Sequence, residues 1–180
     1  MVETSVNIPE GKIGLLIGPG GRTKKLIERT GGVRLDIDAC LVSITGEDGF
    51  RVLKSAEVVR AIGEGLPVRK AFELFQEDYR LEVYDLEGAV ANKSALERQQ
   101  ARIIGEKGKV KKYFERMLGL KIHIDKGKVI AMGPADKLRI FREALERLVH
   151  GASHSGVYRY VETRLMHIKP QNADIEAETE

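Results

Sequence analysis

Tryptophan is absent, Cys40 is the lone cysteine, and the 180 residues hold only five Tyr and five Phe. One thiol cannot build an intrachain disulfide framework, so a reducing cytoplasm is the expected compartment. No apolar run approaches the roughly 18 residues that a membrane span needs, and Met1-Val2-Glu3 does not open a signal peptide. A membrane role is not expected. Charge of one sign is also missing in bulk, because 30 Lys and Arg against 27 Asp and Glu leave a net charge of only +3. Any attraction for a polyanion must therefore come from local clusters rather than from the field of the whole protein.

Catalytic and metal-binding signatures are missing too. Gly108-Lys109-Val110 lacks both the hydroxyl after the lysine and the four-residue spacing of a phosphate-cradling P-loop. Gly18-Pro19-Gly20 begins a dinucleotide fingerprint, but Thr23 stands where the third glycine belongs. His150 and His154 have a ligand-like spacing, yet no cysteine pair or Glu-rich motif accompanies them. The expectation is a non-catalytic protein without metal or cofactor.

What is present is a repeat. Residues 17–38, IGPGGRTKKLIERTGGVRLDID, return 87 positions later as IGEKGKVKKYFERMLGLKIHID. Gly18/Gly105, Gly21/Gly108, Lys24/Lys111, Lys25/Lys112, Glu28/Glu115, Arg29/Arg116, Gly32/Gly119 and Asp38/Asp125 are identical. A fixed-offset repeat means two copies of one folded unit. Units of about 80 residues have thin cores and are expected to pack together.

The pattern around each copy gives an element order. Val6 and Ile8 alternate with polar residues, Lys12 to Ile17 read as a short helix, and Arg22 to Thr30 form an amphipathic helix stopped by Gly31-Gly32. Val33, Leu35 and Ile37 alternate with charged residues, and Leu120, Ile122 and Ile124 do likewise, as half-buried strands. Leu41 to Ile44 and Val129 to Met132 complete hairpins. Leu53, Ala56, Val59 and Ile62, and later Leu138, Phe141, Leu145 and Leu148, recur at helical spacing, so one final helix closes each unit. Tyr79, Leu81 and Val83 start the second unit, whose helix before the loop, carrying Leu96, Ile103 and Ile104, is the longer one. The order is β-α-α-β-β-α, twice, in an α+β fold. The expected boundaries are 1–66 for the first unit, 67–77 for a helical linker beginning at Pro67, 78–168 for the second unit, and 169–180 for a disordered acidic tail.

Each repeat centres on a Gly-x-x-Gly loop between helices. Without side chains at its ends, such a loop lets a bound strand approach the protein backbone, and the helix that follows offers free N–H groups to a phosphate. Basic residues crowd there: Arg22, Lys24 and Lys25 after the first loop, and Lys107, Lys109, Lys111 and Lys112 around the second. Leu35 and Ile122 are read as apolar floors for bases. The candidate RNA-binding residues are Ile17, Gly18, Pro19, Gly20, Gly21, Arg22, Lys24, Lys25 and Leu35, then Ile104, Gly105, Glu106, Lys107, Gly108, Lys109, Lys111, Lys112 and Ile122.

Leu16-Ile17-Gly18-Pro19-Gly20-Gly21 with Leu26-Ile27 and Thr30-Gly31, and again Ile103-Ile104-Gly105-Glu106-Lys107-Gly108, resemble the signature of the KH domain. KH modules clamp about four single-stranded nucleotides at this loop. The element order is similar to type I, which implies a three-stranded antiparallel sheet backed by three helices in each of two tandem domains. Ala61-Ile62-Gly63-Glu64-Gly65-Leu66, Ala71-Phe72-Glu73-Leu74, Asp78-Tyr79, Arg142-Glu143-Ala144 and Gly156-Val157-Tyr158 further resemble the partner-of-Nob-one and Krr-one family of archaeal-type ribosome-assembly KH proteins. That resemblance implies single-stranded RNA binding near the 3′ region of the small-subunit ribosomal RNA precursor, with an rRNA-processing endonuclease or another assembly or translation factor as partner. The chain departs from the usual basic loop, with Pro19-Gly20 in the first copy and acidic Glu106 in the second. A KH-fold protein-interaction scaffold and a messenger-RNA regulator stand as the alternatives.

Overall fold

Period-two alternation builds two antiparallel three-stranded sheets in the computed structural model, which describes residues 1–168. The acidic segment 169–180 lies outside the described residues. In the first unit β1 (Val2–Asn7), α1 (Glu10–Ile17), α2 (Arg22–Gly31), β2 (Arg34–Asp38), β3 (Leu41–Gly46) and α3 (Gly49–Gly63) follow one another, with strand order β1-β3-β2. Asp48 starts α3 by accepting hydrogen bonds from the N–H groups of Phe50 and Arg51 at 2.9 and 3.4 Å. A short helix α4 (Val68–Ala71) and a 3₁₀ turn, Phe72–Phe75, lead onward. The second unit repeats the order as β4 (Tyr79–Asp85), α5 (Lys93–Ile104), α6 (Lys109–Leu118), β5 (Lys121–Asp125), β6 (Lys128–Pro134) and α7 (Ala135–Val149), with strand order β4-β6-β5. The fold is α+β, with two tandem type I KH topologies.

The sequence pattern predicts one closing helix per unit, yet α7 is not the last helix within 78–168. A further helix, α8 (His154–Met166), begins where the Ser153 hydroxyl accepts from the Gly156 N–H at 3.2 Å, and it buries Val157 and Val161. Arg102 on α5 donates to the Ala152 carbonyl at 2.6 Å, and His154 pairs with the Arg102 carbonyl at 3.0 Å, so α8 is strapped to the helix that leads into the second loop.

The core of the first unit extends into the second. Leu81, Ile130 and Met132 of the second sheet pack in the same cluster as Val58, Ile62, Leu66, Ala71 and Leu74 of α3 and the linker. α3 is thus flanked by both sheets, and this broadens its buried arc. Val52, Lys54, Ser55, Val58, Val59 and Ile62 are buried, whereas Leu53, expected in the core stripe, is 63% exposed. Polar ties cross the same seam. The buried Lys54 ammonium donates to the Tyr79 carbonyl, Glu57 accepts from the Leu81 N–H at 3.4 Å, and Lys128 meets Glu64 at 2.6 Å. Burial lowers the Lys54 pKa, against the opposing pull of Glu57.

Candidate nucleic-acid interface

The two Gly-x-x-Gly loops have the same backbone. Gly18, Gly20 and Gly21 have φ/ψ of 70/174°, 58/27° and 74/13°, and Gly105, Lys107 and Gly108 have 73/170°, 52/27° and 75/17°. The first glycine of each loop is fixed by crowding as well as by its positive φ. A Cβ on Gly18 would lie 2.2 Å from Thr23 Oγ1, and one on Gly105 would lie 2.3 Å from Val110 Cγ2. Lys107 occupies the left-handed position that Gly20 fills in the first copy, a conformation costing an L-residue about 1–2 kcal/mol. Nothing lies within 4 Å of where a Cβ would sit on Gly20, Gly21 or Gly108, so these faces of the loops are open.

Each loop delivers the chain directly into an amphipathic ten-residue helix, α2 or α6, whose first N–H groups have no partner within the helix. Ile17 and Ile104, the last residues before the loops, are each 37% exposed. Pro19, Gly20, Arg22 and Lys25 are exposed beside the first loop, with Gly18, Gly21 and Lys24 half-buried; Glu106, Lys107, Lys109 and Lys112 are exposed beside the second, with Gly105, Gly108 and Lys111 half-buried. The charges are organised differently. Lys109 lies 3.9 Å from Glu106 and Lys111 lies 3.5 Å from Glu115, while among the described residues Arg22, Lys24 and Lys25 form no ion pair. The first loop therefore presents uncompensated cations, and the second presents cations partly neutralised by their own neighbours.

Leu35 and Ile122 do not join these surfaces. They are 1% and 3% exposed and belong to the cores beneath the sheets, so neither is available as a floor for a base in this conformation. The next residues on the same faces, Ile37 and Ile124, are half-buried. Alternation correctly identifies the apolar side of each strand but does not say which residue lies toward its open end.

A paired device was missed. The Glu28 carboxylate accepts from the Leu35 N–H at 2.9 Å, and Glu115 accepts from the Ile122 N–H at 3.1 Å. Each repeated glutamate thus pins its loop-bearing helix to the neighbouring strand. The signal is in the repeat: each glutamate stands seven residues before the strand residue that it holds. His150 and His154 each direct a ring nitrogen at a main-chain carbonyl, and no group of three or more metal-ligating side chains occurs among the described residues. No helix among those residues is long and apolar enough to cross a membrane.

Comparison with known proteins agrees with this geometry. A family model described as Eukaryotic type KH-domain (KH-domain type I) matches residues 80–165, and a KH domain model matches residues 3–75. A KH domain-containing protein of Methanocaldococcus jannaschii is 36% identical over 169 residues, which cover 91% of this chain and 74% of that protein. Dim2p of Pyrococcus horikoshii OT3 is 36% identical, with a TM-score of 0.80 over 91% of this chain and 99% of its own. The chain belongs to the archaeal two-KH-domain family that includes Dim2p. A second solved structure of that family, the a/eIF2alpha-aDim2p-rRNA complex from the same organism, is 35% identical with a TM-score of 0.81 over 93% of this chain and 96% of that one. RNA binding is the property that KH modules bring to the family.

Proposed function

We propose that this protein binds single-stranded RNA through both loop grooves and acts, without chemistry of its own, in maturation of the small ribosomal subunit, gripping the 3′ region of its RNA in the cytoplasm. The observation that carries the reading is the pair of loops with matched backbone, each open to solvent and each feeding the N-terminus of a basic helix. The relative crystallised with rRNA and a/eIF2alpha supports both the RNA class and a translation factor as partner, with a processing endonuclease a further candidate. Segments 1–66 and 78–168, joined by 67–77, are the two binding modules. The first groove is the stronger phosphate clamp, since its cations are uncompensated; Ile17, Pro19, Gly20, Arg22, Lys24 and Lys25 line it.

Replacing Pro19 and Gly20 by Asp in one loop, and Glu106 and Lys107 by Asp in the other, tests this directly. The double-loop variant is expected to lose RNA affinity by at least about tenfold, to show a shallower salt dependence, and to unfold cooperatively with a midpoint lowered by no more than about 8 °C. Unchanged RNA affinity, with partners retained after nuclease treatment, would move the protein to the scaffold reading. Sequencing of crosslinked RNA separates ribosomal from messenger targets.

A further inference from the structure

The second groove has an annex that the first lacks. Two residues, Ile8 and Pro9, join the first strand to the first helix in unit one, whereas seven, Leu86 to Asn92, do so in unit two, and α5 is longer than α1 by four residues. The hairpin turns opposite are otherwise alike. Ile8 N–H donates to the Cys40 carbonyl at 2.7 Å and Leu86 N–H to the Gly127 carbonyl at 2.8 Å, while Ala39 and Lys126, 87 positions apart, share the left-handed conformation. Between the longer segment, the extended start of α5 and the Lys126-Gly127 turn lies a cleft of about 560 Å³. That size falls within the roughly 300–1,000 Å³ of small-ligand clefts.

The cleft and the loop lie on the same helix. Leu96 and Gln100 line it and Ile104 precedes Gly105, so the three, four residues apart, form one stripe along α5 that runs about 12 Å from cleft to loop. Val90 and Leu96 supply apolar surface, the Gln100 amide both donates and accepts, and Lys93 and Lys126 stand at the rim, with Glu87 and Glu97 as acceptors for amino groups. At the repeat offset Leu96 corresponds to Pro9, which precedes α1, and Lys126 to Ala39. The first unit cannot form the same stripe.

We infer that this cleft holds the base of an additional nucleotide of the RNA strand bound at the second loop, stacked on Val90 and Leu96 and read at its edge by Gln100, so that the second groove grips a longer segment than the first. The inference rests on the groove reading above. It is tested with the full chain carrying Pro19→Asp and Gly20→Asp to silence the first loop, using randomised RNA oligonucleotides of four and of seven nucleotides in fluorescence anisotropy. Seven-nucleotide RNA is expected to bind at least about fivefold more tightly than four-nucleotide RNA. Leu96→Ala with Gln100→Ala should abolish that gain and leave tetranucleotide binding unchanged. Extending a tetranucleotide at its 5′ or its 3′ end should help at one end only, because the cleft lies to one side of the loop. Tetranucleotide binding with no gain on lengthening, or a gain that survives the double substitution, overturns the extended groove alone. Absence of binding at both lengths overturns the second groove itself and the annex with it.

Discussion

The outer faces of the two sheets differ sharply in polarity between the two units. In the first sheet the cross-strand rows read Glu3-Thr45-Arg34 and Ser5-Ser43-Asp36, polar throughout and at least partly exposed. The corresponding rows of the second sheet read Leu81-Met132-Lys121 and Val83-Ile130-His123, and Leu81, Ile130 and Met132 are buried against α3 and the linker. Duplication produced two copies of one topology, and divergence on a single face decided how they pack. The second unit gave its sheet to the first, and the first kept its sheet open to solvent. None of the residues of either Gly-x-x-Gly loop belongs to this seam.

Truncation on the two faces should break the symmetry most plainly. Ile130→Ala removes a fully buried side chain from the shared core, and a loss of about 2–5 kcal/mol is expected in urea unfolding. Ser43→Ala, at the matching place in the central strand of the first sheet, should stay within about 0.5 kcal/mol. Equal losses at the two positions would show that the seam between units does not hold in solution. The loops supply the next effect. Gly18→Ala combines a positive φ with a contact of 2.2 Å to Thr23 Oγ1 and should cost more than about 2 kcal/mol. Gly20→Lys adopts what Lys107 already does in the second copy, with open space around it, and should cost about 1 kcal/mol. A reversal of that order, measured by thermal unfolding, would contradict the shared loop geometry.

Much of this was legible in the sequence for identifiable reasons. Strand alternation, glycine stops and an exact offset specify the β-α-α-β-β-α order because each is a local rule, and the loop glycines sit where backbone geometry requires them. Contacts between elements distant in sequence are not local, and the differences from expectation arise there. Leu53 matches the helical spacing of α3 but is largely exposed, because a helix flanked on two sides buries an arc that no single amphipathic stripe describes. A hint was present in β6, where Val129, Ile130, Ala131 and Met132 run without alternation, as expected of a strand buried on both faces. Leu35 and Ile122 match the pattern of an apolar groove floor yet lie in the cores, because periodicity gives the side of a strand and not the depth of each residue. Helix α8 was passed over because Val157 and Val161 are few, and its anchoring depends on Arg102 and Tyr113 from distant elements.

The smallest expected effect concerns that helix. Leu26 on α2 and Tyr113 on α6 occupy the same repeat position; Leu26 is 38% exposed, whereas the Tyr113 ring lies against Tyr158 of α8, with centroids 3.9 Å apart. Tyr113 donates to the Tyr158 carbonyl at 3.2 Å and reaches Glu162 at 3.3 Å. Burial first, and then the Glu162 carboxylate, push its phenol up to about 12 from an ordinary value of 10.0. A phenol raised on folding favours the folded state fully below its unfolded pKa, and that contribution fades as pH rises from 10 toward 12. Tyr113→Phe should therefore leave the pH dependence of stability unchanged below pH 9 and flatten its decline between pH 10 and 12, followed by circular dichroism. Leu26→Ala, in the copy without such a helix, should alter neither range. An alkaline decline identical in the parent and in Tyr113→Phe would mean that α8 does not bury this ring, and the second unit would then be no more enclosed along that flank than the first.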